Sequence, residues 1–188
     1  MGYTTEFYGS IGFNKPITME LANYINEFSR VRHIKRDAEK IKEVYPNWEE
    51  LCFNGRLGNE GEFFIGEKSF SERDASIIDY NRPPNSQPGL WCQWIINEDG
   101  ELAWDGNEKF YEYEEWMKYL IKHFFDPSGY ILNGEIEFQG EDRDDFGFIC
   151  VKNNVVTIEY GERIMGLKDI NTNDLIKEIE SRGYSVTT

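Results

Sequence analysis

Histidine and cysteine are scarce in this chain: two and three residues of 188. Cys52, Cys92 and Cys150 cannot all pair with one another, and none stands in Cys-x-x-Cys spacing. They read as reduced, buried thiols of a cytoplasmic protein. His33 and His123 fall in different predicted helices, and no Cys/His cluster has zinc-ligand spacing. Long apolar runs are missing too. Nothing approaches the ~20 residues of a membrane span, and the N-terminus carries no charged head followed by an apolar stretch. A membrane protein and a signal-directed secreted protein are therefore not expected. Bases are in deficit, 20 against 35 acids, and a net charge of −15 repels a phosphate backbone, which disfavours general nucleic-acid binding. The Gly-x-Ser-x-Gly nucleophile elbow is absent. The glycine-rich stretch from Phe53 to Gly66 is no phosphate loop either. Gly61 and Gly66 are correctly separated, but Glu67 stands where the lysine must follow.

What is present suffices for a core. With 39% hydrophobic and 15% aromatic residues, the chain is too apolar for a disordered acidic tail, and its length suits one domain over residues 1–188. Alternation over Thr4–Phe13 predicts a strand with Phe7, Ile11 and Phe13 on one face. Thr18 is the expected N-cap of a helix whose stripe is Leu21, Tyr24, Ile25, Phe28 and Val31. A second helix is expected from Asp37 to Tyr45, ended by Pro46, and Asn47 with Glu50 resembles a capping box. Phe63-Phe64-Ile65 reads as a short strand between glycine loops. Pro83, Pro84 and Pro88 mark an irregular crossing.

The strongest β signal is Leu90–Ile96, which turns at Asn97–Gly100 into Glu101–Trp104. Its near-continuous apolar character predicts a central first strand. Tyr113, Trp116, Met117, Leu120, Ile121 and Phe124 form a helical core stripe that ends at Asp126-Pro127. A meander follows: Tyr130–Leu132, a turn at Asn133-Gly134, Glu135–Gln139, Phe146–Lys152, a turn at Asn153-Asn154, and Val155–Tyr160. A last helix is expected over 174–182, with Gly183 as its C′ residue. The sum is an α+β fold: a mainly antiparallel sheet with helices packed on at least one face.

Charge is unevenly placed. Residues 1–42 hold seven bases and five acids, leaving 13 bases and 30 acids beyond. The basic island is Arg30, Arg32, Arg36, Lys35, Lys40 and Lys42; it reads as a solvated helical face pairing with the acidic remainder, or as a contact for an acidic group. Among the acids, Glu141, Asp142, Asp144 and Asp145 crowd one turn. The spacing opens like a calcium loop and has Gly147 at the sixth place. Phe146 at the fifth place and Asn153 at the twelfth break the pattern, so no metal and no cofactor is expected. Glu135 and Glu137, two apart on a strand, share a face and have the arrangement of an acid–base pair.

One segment resembles a known family. Asp79-Tyr80-Asn81-Arg82-Pro83-Pro84, Gln87-Pro88-Gly89-Leu90-Trp91-Cys92-Gln93-Trp94, Trp104-Asp105-Gly106-Asn107-Glu108-Lys109-Phe110-Tyr111, Leu132-Asn133-Gly134-Glu135 and Gln139-Gly140-Glu141, with the opening Met1–Phe7, are similar to a family of uncharacterised bacterial and phage-borne proteins. The resemblance implies a phage-related context and transfers no catalytic residue. Ile34–Ser76 lies outside it.

Two functions are expected from this reading. The first is a non-enzymatic acidic binding protein, in its sharpest form a phage-encoded inhibitor of a host nucleic-acid-handling defence protein. It would meet a basic protein partner through Glu141, Asp142, Asp144 and Asp145. The alternative is a pocket under the tryptophan cluster for a small anionic ligand or nucleotide, with hydrolysis as a further possibility. That pocket would be built from Arg82, Trp94, Trp104, Lys109, Glu135 and Gln139.

Overall fold

The structure is a computed structural model that describes residues 2–66, 75–161 and 176–177. Its element order is β1 (Thr5–Phe13), α1 (Met19–Arg30), β2 (Lys35–Arg36), α2 (Ala38–Val44), β3 (Ile77–Asp79), β4 (Trp94–Ile96), β5 (Leu102–Trp104), α3 (Tyr113–Leu120), β6 (Leu132–Gly140), β7 (Phe146–Lys152) and β8 (Val155–Tyr160). Among the described residues, six strands form one antiparallel sheet in the order β4-β5-β1-β6-β7-β8, and β2 pairs with β3. The fold is α+β with a mainly antiparallel sheet. No helix among the described residues is long and apolar enough to cross a membrane.

β1 and β6 pair along their whole length, from Thr5 opposite Gly140 to Phe13 opposite Leu132. The period of two then sends Phe7, Ile11, Ile136 and Phe138 to one face and Glu6, Tyr8, Glu135 and Glu137 to the other. Both long helical segments cover the first face. Thr18 caps α1 by accepting from the Leu21 N–H at 3.4 Å, and Leu21, Ile25 and Phe28 bury against the sheet. α3 runs on into a π-helical turn over Ile121–Phe125, and together they bury Trp116, Met117, Leu120, Ile121 and Phe124. A smaller cluster of Ile41, Tyr45, Cys52, Leu57 and Phe64 lies beside this core.

Several expectations are corrected. Asn133-Gly134 is no turn but the interior of β6, because pairing with β1 overrides the local turn preference. Gly134 sits there at φ +149°, and a Cβ on it would come to 3.2 Å from the Ser10 carbonyl oxygen. Phe63–Ile65 is not a strand; only an isolated bridge joins Phe64 to Cys52. Asn47 makes no side-chain cap at the short 3-10 turn Trp48–Leu51.

The strand over Leu90–Ile96 shrinks to Trp94–Ile96 and stands at the sheet edge rather than its centre. Its apolar run has another cause, since Cys92 enters the core before the strand begins. α1 satisfies that edge. Asn26 Nδ2 donates to the Ile96 carbonyl at 3.0 Å, its Oδ1 accepts from the Ile96 N–H at 2.7 Å, and the Ser29 hydroxyl donates to the Trp94 carbonyl. A side-chain amide thus replaces a neighbouring strand and blunts the edge. Of the helix expected over 174–182, residues 176–177 are helical; the rest, with Gly183, lies outside the described residues.

Gly134→Ala is expected to lower unfolding stability by about 1–3 kcal/mol, the cost of forcing a side chain into a backbone region reserved for glycine. A urea titration checks this, and an unchanged midpoint would refute the account of the β1–β6 approach.

Candidate functional site

The open face of the sheet is built by the same register that buries the core. Across β1, β6, β7 and β8, one row of outward side chains reads Tyr8, Glu137, Phe148, Glu159. The next row reads Ser10, Glu135, Cys150, Thr157, and Glu6, Gln139 and Phe146 form the row on the other side. Tyr8 is 54% exposed and Phe148 37%. Glu6, Glu135, Glu137 and Glu159 are exposed, and among the described residues none of them forms an ion pair. Tyr8 donates its hydroxyl to the Glu6 carboxylate, which raises the phenol pKa. The half-buried Cys150 thiol is also pushed up, first by burial and then by the negative field of Glu159 and Glu135. An acidic field therefore suppresses the thiolate on this face.

The acidic turn closes the β6–β7 hairpin and is partly absorbed by the fold. Asp145 accepts from the Tyr3 hydroxyl at 2.6 Å, and Glu141 accepts from the Thr4 N–H at 2.8 Å. Gln139 reaches into the turn and donates to the carbonyls of Gly140, Asp142 and Asp145 at 3.0–3.2 Å. Asp142 and Asp144 remain exposed. Of the four carboxylates expected to bind, two therefore anchor the N-terminal segment. No group of three or more His, Cys, Asp or Glu side chains among the described residues is placed to hold a metal ion.

The pocket expected under the tryptophans does not assemble. Trp94 is fully buried and donates its indole N–H to the Tyr113 carbonyl at 2.9 Å, while Trp104 donates to Gln93 at 3.1 Å. Both rings pack on Phe7, on the helix-covered face. Glu135 and Gln139 point from the opposite face of the same sheet. Arg82 is 81% exposed beside Asp79, on the two-stranded ribbon. Lys109 lines a groove of about 760 Å³ with Trp91, Gln93, Asp105, Asn107 and Tyr111, whereas Gln139 lines a separate, open depression of about 520 Å³ with Gly140, Glu141, Arg143 and Phe146. The neighbours of Lys109 all belong to the segments that carry the family resemblance, but the expected pocket set Lys109 beside other residues.

Most of the basic island is engaged inside the chain, while Lys40 is exposed. Lys35 pairs with Glu60 at 2.5 Å, which lowers the Glu60 pKa, Lys42 pairs with Glu39 at 2.7 Å, and Arg30 pairs with Glu27 at 2.5 Å. Arg36 is buried and donates to the Ser76 hydroxyl at 2.7 Å. Arg32 lies over the rings of Tyr80 and Trp91.

His33, inside the island, is buried between the Phe28 and Trp116 rings at centroid distances of 4.3 and 4.9 Å. Its Nε2 and the Trp116 Nε1 are both buried without a hydrogen-bond partner among the described residues. His123, the other histidine, is half-buried against Tyr119 and Phe63. The Cys52 and Cys92 thiols are pushed up to about 12 by burial, so neither offers a thiolate near neutral pH.

No family model, no curated protein and no solved structure matches this chain. The residue roles above rest on geometry and charge alone.

Burial lowers the His33 pKa to about 3, against 6.5 for a free imidazole. The unfolded chain therefore takes up a proton at His33 before the folded one does. The stability held by neutral His33 is complete above pH 6.5 and is lost as pH falls toward 3. Urea midpoints of wild type and His33→Leu from neutral to acid pH should show a steeper acid loss in the wild type. Parallel curves would refute the buried neutral imidazole.

Proposed function

We propose that this chain is a non-enzymatic acidic binding protein whose open sheet face engages a basic partner protein. One observation carries the reading: Glu6, Glu135, Glu137 and Glu159 project from a solvent-facing sheet surface around two exposed aromatic rings and form no ion pair among the described residues, although Lys152 stands on the same face at the end of β7. Three bases of the basic island are held away from this face, in pairs with Glu27, Glu39 and Glu60. Protein interfaces favour aromatic anchors at the centre, with charge complementarity steering the encounter. In its sharpest form the partner is a nucleic-acid-handling protein of a phage host, and the chain its inhibitor. A rigid face carrying regularly spaced carboxylates offers a basic groove the sign of charge that a phosphate backbone would offer. The resemblance to phage-borne proteins supports that context.

A second reading is supported by the groove at Trp91 and Lys109. Its aromatic rings and mixed charges suit a small polar ligand. A nucleotide or sugar acid bound there should raise the melting temperature of the wild type and leave that of Lys109→Ala unchanged.

The primary reading is tested by matched captures from a host lysate on immobilised wild type and on a Glu135→Lys/Glu137→Lys variant with a wild-type melting curve. The expected partner is basic, is held at low salt, is released at high salt, and is lost from the double variant. If it handles nucleic acid, the chain should compete with that nucleic acid. A partner retained through both high salt and charge reversal would overturn the reading.

A further inference from the structure

The open face carries more information than its charge. In the row Tyr8–Glu137–Phe148–Glu159, rings and carboxylates alternate on four adjacent strands. Directly opposed side chains in such a sheet have Cβ atoms about 4.5–5.5 Å apart. Glu137 is thus flanked by an aromatic ring on each side, and Phe148 by a carboxylate on each side. Glu137 accepts no hydrogen bond within the described structure, whereas Glu6 beside it is held by the Tyr8 hydroxyl. Neither Tyr8 nor Phe148 packs its ring on another aromatic ring among the described residues, and no described cation covers them.

We infer that this row is built to receive arginine side chains of the basic partner, in preference to lysine. The inference rests on the proposed binding function of the same face. A guanidinium is flat and weakly hydrated, and presents its N–H groups in its own plane. Lying over Phe148, it keeps its flat surface on the ring while its edge donates two parallel hydrogen bonds to the Glu137 or the Glu159 carboxylate. A lysine ammonium is a compact, strongly hydrated charge with no plane to stack. It gains the attraction to the carboxylates, which arginine gains equally, and little from the rings. The row therefore separates two contributions: carboxylates select the sign of charge, and the rings select the shape of the cation.

The test uses the full chain and two short peptides with Gly-Ser spacing, identical except that one carries arginines and the other lysines. Binding is followed by NMR titration at low salt, with the amides of residues 8, 137 and 148 expected to shift most. The arginine peptide should bind about two- to five-fold tighter per stacked side chain, the scale of an exposed cation–π contact. Phe148→Leu keeps a strand-compatible apolar residue and should bring the two peptides to equal affinity; Tyr8→Leu serves if that variant folds poorly. Glu137→Gln should weaken both peptides. Equal affinity of the two peptides for the wild type would overturn the arginine inference and leave the acidic binding function standing. Binding of both peptides that ignores salt and Glu137→Gln would overturn the two together.

Discussion

The pairing of β1 with β6 is the constraint on which the rest of the molecule depends. It brings together residues more than a hundred positions apart and places an early strand in the middle of the sheet, with β5 on one side of β1 and β6 on the other. Its register decides which side chains are interior. Phe7 meets Trp94, Trp104, Phe110 and Tyr113 edge-on, at centroid distances of 4.9–5.9 Å, and faces Phe138 across the strand pair. Edge-to-face rings of this kind add about 0.5–1.5 kcal/mol per pair beyond their burial, so the Phe7 environment fixes the strand strongly. A slip of one residue would place Tyr8 among those rings and Phe7 in water, and would expose the inner faces of the neighbouring strands with it.

That same alternation governs the chemistry available. Trp94 and Trp104 share one sheet with the glutamates of β6, separated by β1, yet they belong to the opposite face. A pocket combining Trp94 or Trp104 with Glu135 or Gln139 would have to pass through the backbone of β6. The covered face therefore supplies packing, with the Trp94 and Trp104 indole N–H groups satisfied at Tyr113 and Gln93. Solvent meets a surface of carboxylates, two rings and a thiol held protonated. Recognition by charge and shape follows more readily from such a surface than covalent chemistry does, since burial first and the neighbouring acids second hold its thiol protonated.

Much of this was legible in the sequence where local pattern and tertiary structure agree. Thr18 as a cap, the stripe Leu21–Ile25–Phe28, the Tyr113–Phe124 helix and the hairpin at Asn153-Asn154 all depend on residues within a few positions of one another. Errors arose where a distant partner decided the outcome. Asn133-Gly134 has the chemistry of a two-residue turn, but Ser10, Ile11 and Gly12 lie against it and hold it extended. Leu90–Ile96 is apolar enough for a central strand, but Asn26 and Ser29 occupy the hydrogen-bonding edge where the next strand would stand. The candidate site suffered in the same way. Glu135 and Gln139 could be assigned to one face from alternation alone, whereas the face of Trp94 required the strand order. The capture of Glu141 and Asp145 by residues 3 and 4 joins opposite ends of a long chain, and no local signal announces it.

The placement of charge follows a consistent economy. Arg30, Arg32, Lys35, Arg36 and Lys42 meet acids or rings close by, away from the open face of the sheet. Glu135 and Glu137 lie two apart on one strand, with Glu159 two strands from Glu137, all on one face; Lys152 shares that face, yet none of the three forms an ion pair among the described residues. Like charges at such separations repel, so the free protein stores a destabilisation that an arriving cation removes. Exposed carboxylates attract within a screening length of about 8 Å at physiological salt, which reaches across neighbouring strands and makes their fields add. A face stabilised for its own sake would alternate lysine with glutamate across the strands. This one alternates glutamate with aromatic rings along its central row, an arrangement that forgoes internal pairing there and on which the proposed basic partner rests.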